Sequence, residues 1–134
     1  MTKNYDISLI RIIDGDSYEI DIDLGFGIWL KNQHLRLNGV DTPESRTSDL
    51  VEKKYGLLAK SFVENWCENR KLTLVIETND DKDKFGRILG DLKNENSEYL
   101  SLAIIQNYHG VKYEGQNKYL IKEKHLENRN KLKV

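Results

Sequence analysis

The chain has a single cysteine, Cys67, and a single proline, Pro43, among its 134 residues. One thiol excludes an intramolecular disulfide and any zinc site built on cysteines. Apolar runs are short: Leu102–Ile105 falls far below the ~20 residues needed to span a bilayer. There is no Gly-rich Walker loop and no His-Glu-x-x-His helix. Asp81-x-Asp83 followed by Gly86 has the start of a calcium hand loop, but Leu92 stands at its twelfth position in place of Glu. Asp21-x-Asp23 fails in the same way, with Asn32 and Gln33 where the closing carboxylate belongs. Net charge is also nearly absent. Twenty-one Lys and Arg against 22 Asp and Glu leave −1, which argues against a strongly basic nucleic-acid clamp but leaves a local basic patch open. Met1–Asp6 lacks the apolar core of an export signal. The chain is therefore expected to stay in the cytosol unless a leader has been removed.

What is present fits one soluble domain spanning residues 1–134: 38% hydrophobic and 32% charged residues, with no linker, repeat or low-complexity stretch. Ile7–Ile13 is rich in β-branched residues and predicts a strand. Asp14-Gly15 predicts a turn in which Gly takes positive φ. Ser17–Asp23 alternates polar and apolar residues, placing Tyr18, Ile20 and Ile22 on one buried face. Gly25 and Gly27 break this strand. A third strand is expected from Trp29 to Asn38, with Leu35 and Leu37 inward and Arg36 opposite. The period then changes. Val51, Tyr55, Leu58, Ala59, Phe62 and Trp66 form one stripe of a helix from about Asp49 to Asn69. Asp49 and Glu52 are spaced as a capping pair, and Gly56 costs this helix about 1 kcal/mol relative to Ala. Strands follow at Leu72–Glu77 and Arg87–Leu92, separated by a charged loop. A second helix opens at Ser97 and a third occupies the tail from Asn117. Five antiparallel strands with a helix between the third and fourth is the order of a small α+β, OB-type barrel.

The three histidines are far apart and predict exposed or singly bonded rings, and Cys67 predicts an inert thiol on a helix flank. The remaining chemistry is a set of carboxylates and arginines at strand ends. Asp14-Gly15-Asp16 sits at a hairpin, and Val40-Asp41-Thr42-Pro43-Glu44 leaves the third strand. Arg36 lies on that strand and Arg87 opens the fifth. Two Asp side chains and a backbone carbonyl can hold a calcium ion, with water completing its shell. Two guanidinium groups can grip a phosphate bidentately. A Glu can activate water as a general base. These are parts of a metal-assisted phosphodiesterase, although each residue taken alone is more often a turn former or a surface ion pair.

At these residues the chain resembles the staphylococcal nuclease family of thermonuclease-like, calcium-dependent enzymes. Three motifs carry the likeness: Ile13-Asp14-Gly15-Asp16-Ser17, Leu35-Arg36-Leu37-Asn38-Gly39-Val40-Asp41-Thr42-Pro43-Glu44, and Asp83-Lys84-Phe85-Gly86-Arg87. The resemblance implies a five-stranded OB-fold barrel with three α-helices, and Ca²⁺-dependent cleavage of single-stranded DNA and RNA to 3′-phosphate products by a monomer. It implies Asp16, Asp41 and the Thr42 carbonyl as metal ligands and Glu44 as the residue acting on the attacking water. Arg36 and Arg87 are implied as phosphate grips, and Lys84, Phe85 and Tyr113 as contacts to bound nucleotide. Phe85 stands where the family usually has Tyr, and Ser17 where it usually has Thr. The alternative expectation is an inactive OB-type module that binds single strands or a protein.

Overall fold

In the computed structural model, residues 2–77 and 86–133 are described. Strand β1 (Thr2–Asp14) is long enough to serve two neighbours. Its first part, Thr2–Asp6, pairs with β5 (Thr73–Glu77). From Ile7 onward it pairs with β2 (Ser17–Gly25). Next in order come β3 (Ile28–Leu37) and β6 (Ile88–Lys93), and the circuit β1-β2-β3-β6-β5 closes into a barrel. The expected all-antiparallel pairing holds except at one seam, where β3 and β6 run parallel. A parallel seam requires a long crossover; helix α1 (Leu50–Cys67) and β5 supply it.

The alternation in β2 buries Tyr18, Ile20 and Ile22, as the period of two predicts, and Leu35 and Leu37 of β3 also point inward. Leu74, Ile88 and Leu92 complete the barrel interior, and Val63, Leu100 and Ile104 cover one end from the helices. Each such side chain contributes roughly 1.5–3 kcal/mol by leaving water. The helix stripe holds at Tyr55 and Ala59, which are buried, and at Phe62 and Trp66, which pack against the core, but its edges shift. Val51 is exposed, and Val63 and Cys67 take the buried positions. Cys67 is buried and its thiol is pushed up to about 12 by that burial, in keeping with an inert role. The β2–β3 turn, Gly25-Phe26-Gly27, has positive φ throughout and leaves Phe26 fully exposed.

Several boundaries are set by partners remote in sequence. Asp49 caps α1 by accepting from the Val51 and Glu52 nitrogens. Glu52 does not complete a capping box, because its carboxylate accepts from the Glu44 nitrogen at 3.1 Å. Helix α2 begins at Leu100 rather than Ser97; its Ser101 N–H is taken by Asp91 of β6, a cap no local pattern reveals. The two-residue strands β4 (Val40–Asp41) and β7 (Val111–Lys112) form a small separate sheet that local sequence gave no reason to expect. Helix α3 (Lys118–Leu132) starts from the Asn117 cap, as read, but buries none of its residues.

Two glycines are explained by space. Gly15 does not have positive φ; a Cβ there would lie 2.9 Å from both Ala59 Cβ and Thr42 Oγ1, so its bareness lets the β1–β2 turn touch α1 and the loop after β4. Gly56 lies under the same loop. A Cβ on it would overlap the Glu44 carbonyl and come within 2.6 Å of the Ser45 nitrogen. Gly56→Ala should therefore invert the usual helix preference. Instead of gaining about 1 kcal/mol, the variant should lose on the order of 1–3 kcal/mol through overpacking. Urea denaturation monitored by tryptophan fluorescence measures the sign, and a gain in stability would refute the close-packing account.

Candidate active site

The barrel brings the first two motifs and Arg87, which ends the third, together through one row of strand pairing. Arg36 on β3 lies opposite Ser17 on β2 and opposite Leu89 on β6. Asp16 immediately precedes the first of these neighbours, and Arg87 lies two residues before the second. Backbone bonds from Leu37 to the Asp16 carbonyl and from Asn38 to the Gly90 carbonyl, both 2.8 Å, lock the row.

The Arg36 guanidinium is at the centre. Its Nη1 donates to the carbonyls of Leu37 and Val40, the latter at 2.8 Å. Its Nη2 lies 3.5 Å from Asp16 and 3.7 Å from Asp41. One anchored nitrogen thus leaves the other between two carboxylates, and the side chain is only 14% exposed. The Asp16 carboxylate also accepts from the Thr42 nitrogen at 3.1 Å. Asp41 Oδ2 is 2.8 Å from His125 Nε2, a contact spanning 84 positions of sequence. Asp14 faces away from this centre. It bonds the Ser45 hydroxyl and lies 3.2 Å from Arg46, fixing the loop just beyond Glu44.

Charge is concentrated here against its own preference. Burial pushes the Asp16 carboxyl up, the Arg36 guanidinium opposes that rise, and Asp41 and Asp14 add to it. Glu44 is also raised, first by burial and then by Asp14, Asp16, Glu52 and Asp41. Two carboxyls that hold their protons more tightly, crowded by further carboxylates at a cleft, make this a candidate functional site.

Two clefts meet at Asp41. One, of about 790 Å³, is lined by Arg36, Asp41, Arg87, Leu89, Tyr113 and Lys118. The other, of about 490 Å³, is lined by Asp41, Glu44, Asp49, Glu52, Lys122 and Arg129 among others. The first cleft carries the two arginines and Tyr113, whereas the second mixes carboxylates with basic side chains of the tail. Tyr113 is held at the first cleft by its nitrogen, which donates to the Gly39 carbonyl at 2.9 Å. Lys84 and Phe85 lie outside the described residues.

The oxygen donors suit a hard cation. Asp16 and Asp41 share one face of Arg36, and their neighbours' mutual repulsion is what a divalent charge relieves. Among the described residues no three His, Cys, Asp or Glu side chains converge as a ready cage. Protein ligation would then be sparse, with water or substrate oxygens completing the shell. His125 was not singled out as a site residue by the sequence, and nothing local to it carries the signal. The Thr42 hydroxyl is buried without a partner among the described residues.

A sequence profile described as "Staphylococcal nuclease homologue" matches residues 34–132. The chain is 37% identical over 81 residues to a thermonuclease of Staphylococcus hyicus, covering 60% of this chain and 44% of that protein. It is 35% identical over 79 residues to a thermonuclease of Staphylococcus intermedius, covering 59% and 43%. An uncharacterised protein of Bacillus anthracis is 30% identical over 81 residues, covering 60% and 35%. The matched region is thus less than half the length of each of these relatives. The profile match covers most of the chain, including Arg36, Asp41 and Arg87 at the cleft just described, and the chain belongs to the staphylococcal nuclease homologue family.

Proposed function

We propose that this protein is a calcium-dependent nuclease that hydrolyses phosphodiester bonds of single-stranded DNA and RNA to 3′-phosphate products. The observation that carries this reading is the meeting of Arg36, Asp16 and Asp41 at one guanidinium, at the junction of the two clefts. The likeness to two staphylococcal thermonucleases supports it.

In this reading the Asp16 and Asp41 carboxylates and the Thr42 carbonyl hold the cation, whose chemistry when bound is to polarise the phosphate and offset charge. Arg36 and Arg87 bind the phosphate oxygens and are most effective as negative charge grows in the five-coordinate arrangement. Glu44 orients the attacking water and accepts its proton, for which its raised affinity for protons suits it. The water oxygen bonds to phosphorus as the bond to the 5′ oxygen breaks. Arg87 stabilises that departing oxygen, which takes its proton from solvent. Tyr113 stacks on the base beside the scissile phosphate, and Lys84 and Phe85 contact a terminal phosphate. An unstacked nucleotide reaches this cleft more easily than a paired one, which favours single strands. With little net charge on the protein, affinity comes from these contacts rather than from diffuse attraction.

A fluorescent single-stranded oligonucleotide incubated with CaCl₂, MgCl₂, MnCl₂ or chelator tests the proposal. Cleavage with calcium, abolished by chelator, is expected; binding without cleavage at all calcium concentrations would instead favour a binding module. Glu44→Gln should lower turnover by about 10²- to 10⁴-fold, and Arg87→Ala by about 10²- to 10³-fold. Arg36→Ala should weaken both binding and turnover.

The same carboxylates predict a stability effect of opposite sign. Glu44 holds its proton more tightly folded than unfolded, so its ionised form costs stability above the folded pKa, and that cost fades as pH falls through the folded pKa and is gone below the unfolded value. In chelator at pH 7, Glu44→Gln should melt at a higher temperature than the wild-type protein. The difference should vanish near pH 4, and calorimetry across that range reads it. A lower melting temperature at pH 7 would contradict the repulsion described for Glu44.

A further inference from the structure

The two oxygens of Asp41 have different neighbours. Oδ1 faces Arg36 Nη2 at 3.7 Å, and Oδ2 meets His125 Nε2 at 2.8 Å. A carboxylate can only accept, so the hydrogen bond requires that Nε2 carry the proton. The His125 side chain is 14% exposed and that of Asp41 33%, so the contact is partly shielded from competing water. His125 comes from α3, a helix with no buried residues. That helix has other attachments: Asn128 Nδ2 donates to the Gly110 carbonyl at 3.2 Å, and the Arg129 guanidinium lies 5.2 Å from the Tyr55 ring. Docking α3 therefore does not need a histidine aimed at an acidic residue of the cleft.

We propose that His125 is a positioning residue: its Nε2–H fixes the Asp41 carboxylate in the orientation that receives the cation. This rests on the reading of Asp41 as a cation ligand. Held by the hydrogen bond at Oδ2 and drawn toward the Arg36 charge at Oδ1, the Asp41 carboxylate keeps one orientation, and each oxygen keeps a lone pair for coordination. A ligating carboxylate held by an outer hydrogen bond binds its metal more tightly, and loss of such a partner typically costs 10- to 100-fold in affinity. The arrangement also makes α3 a wall of the site with a chemical part in it, beyond its lining of the two clefts.

Titration calorimetry of the whole protein with CaCl₂ tests this without any turnover. Wild type should bind, and Asp41→Asn should abolish or nearly abolish binding. His125→Ala should bind about 10- to 100-fold more weakly. His125→Gln, whose amide nitrogen reaches the place of Nε2, should recover most of the affinity. Asn128→Ala removes a helix attachment without touching Asp41 and should bind as wild type does. Circular dichroism monitors folding of each variant, and the glutamine variant keeps the test decisive if the alanine variant unfolds. Wild-type affinity in His125→Ala, no recovery in His125→Gln, or equal weakening in Asn128→Ala would each overturn the positioning role. Those results, obtained while Asp41→Asn still loses binding, would leave the cation site intact. Absence of binding in wild type, or full binding in Asp41→Asn, would overturn both.

Discussion

The site depends on a guanidinium held between two carboxylates. Arg36 is gripped from behind by the carbonyls of Leu37 and Val40, so its charge cannot swing out to solvent. Asp16 and Asp41 are thereby drawn to one face. Without that cation, the buried acid of β2's leading edge and the acids of the following loop would repel one another across a poorly hydrated space. With it they remain together and able to receive a further positive charge.

The fold serves this arrangement by making distant segments adjacent. The parallel seam between β3 and β6 sets the strand that follows Arg87 beside the second motif, and the β2–β3 pairing sets the first motif on the other side. The small β4–β7 sheet fixes the backbone at Asp41 and brings Tyr113 alongside. Gly15 and Gly56 remove the two side chains that would hold the Thr42–Ser45 loop away from the turn and from α1. The rigid barrel thus supplies the positions, and the loop between β4 and α1 supplies acids that would be unfavourable elsewhere.

Much of this was legible in the sequence because it is local. Alternation in Tyr18-Glu19-Ile20-Asp21-Ile22 depends only on the two-residue period of a strand, and it was read correctly. The carboxylate and arginine motifs were legible as chemistry, and Arg36, Asp41 and Arg87 do line one cleft. The failures have a common cause. Glu52 spacing suggested a capping box, but a backbone N–H from a loop eight residues earlier won its carboxylate. Ser97 looked like a helix opener, but Asp91 on a neighbouring strand caps the helix further on. His125 carried no local signal at all, since its partner is 84 residues away. Strand direction at the β3–β6 seam was equally hidden, because a buried strand shows the same apolar pattern whichever way its neighbour runs.

The division of β1 between two partners also bears on synthesis. Its first residues emerge from the ribosome early, yet Asn4 must wait for Val75 before its edge is covered. Chains grow at roughly 5–20 residues per second, so for several seconds the nascent protein carries a half-finished sheet with open backbone donors and acceptors. The charged side chains of Lys3, Asp6 and Arg11 along this strand give that waiting edge protection against pairing with a neighbouring nascent chain.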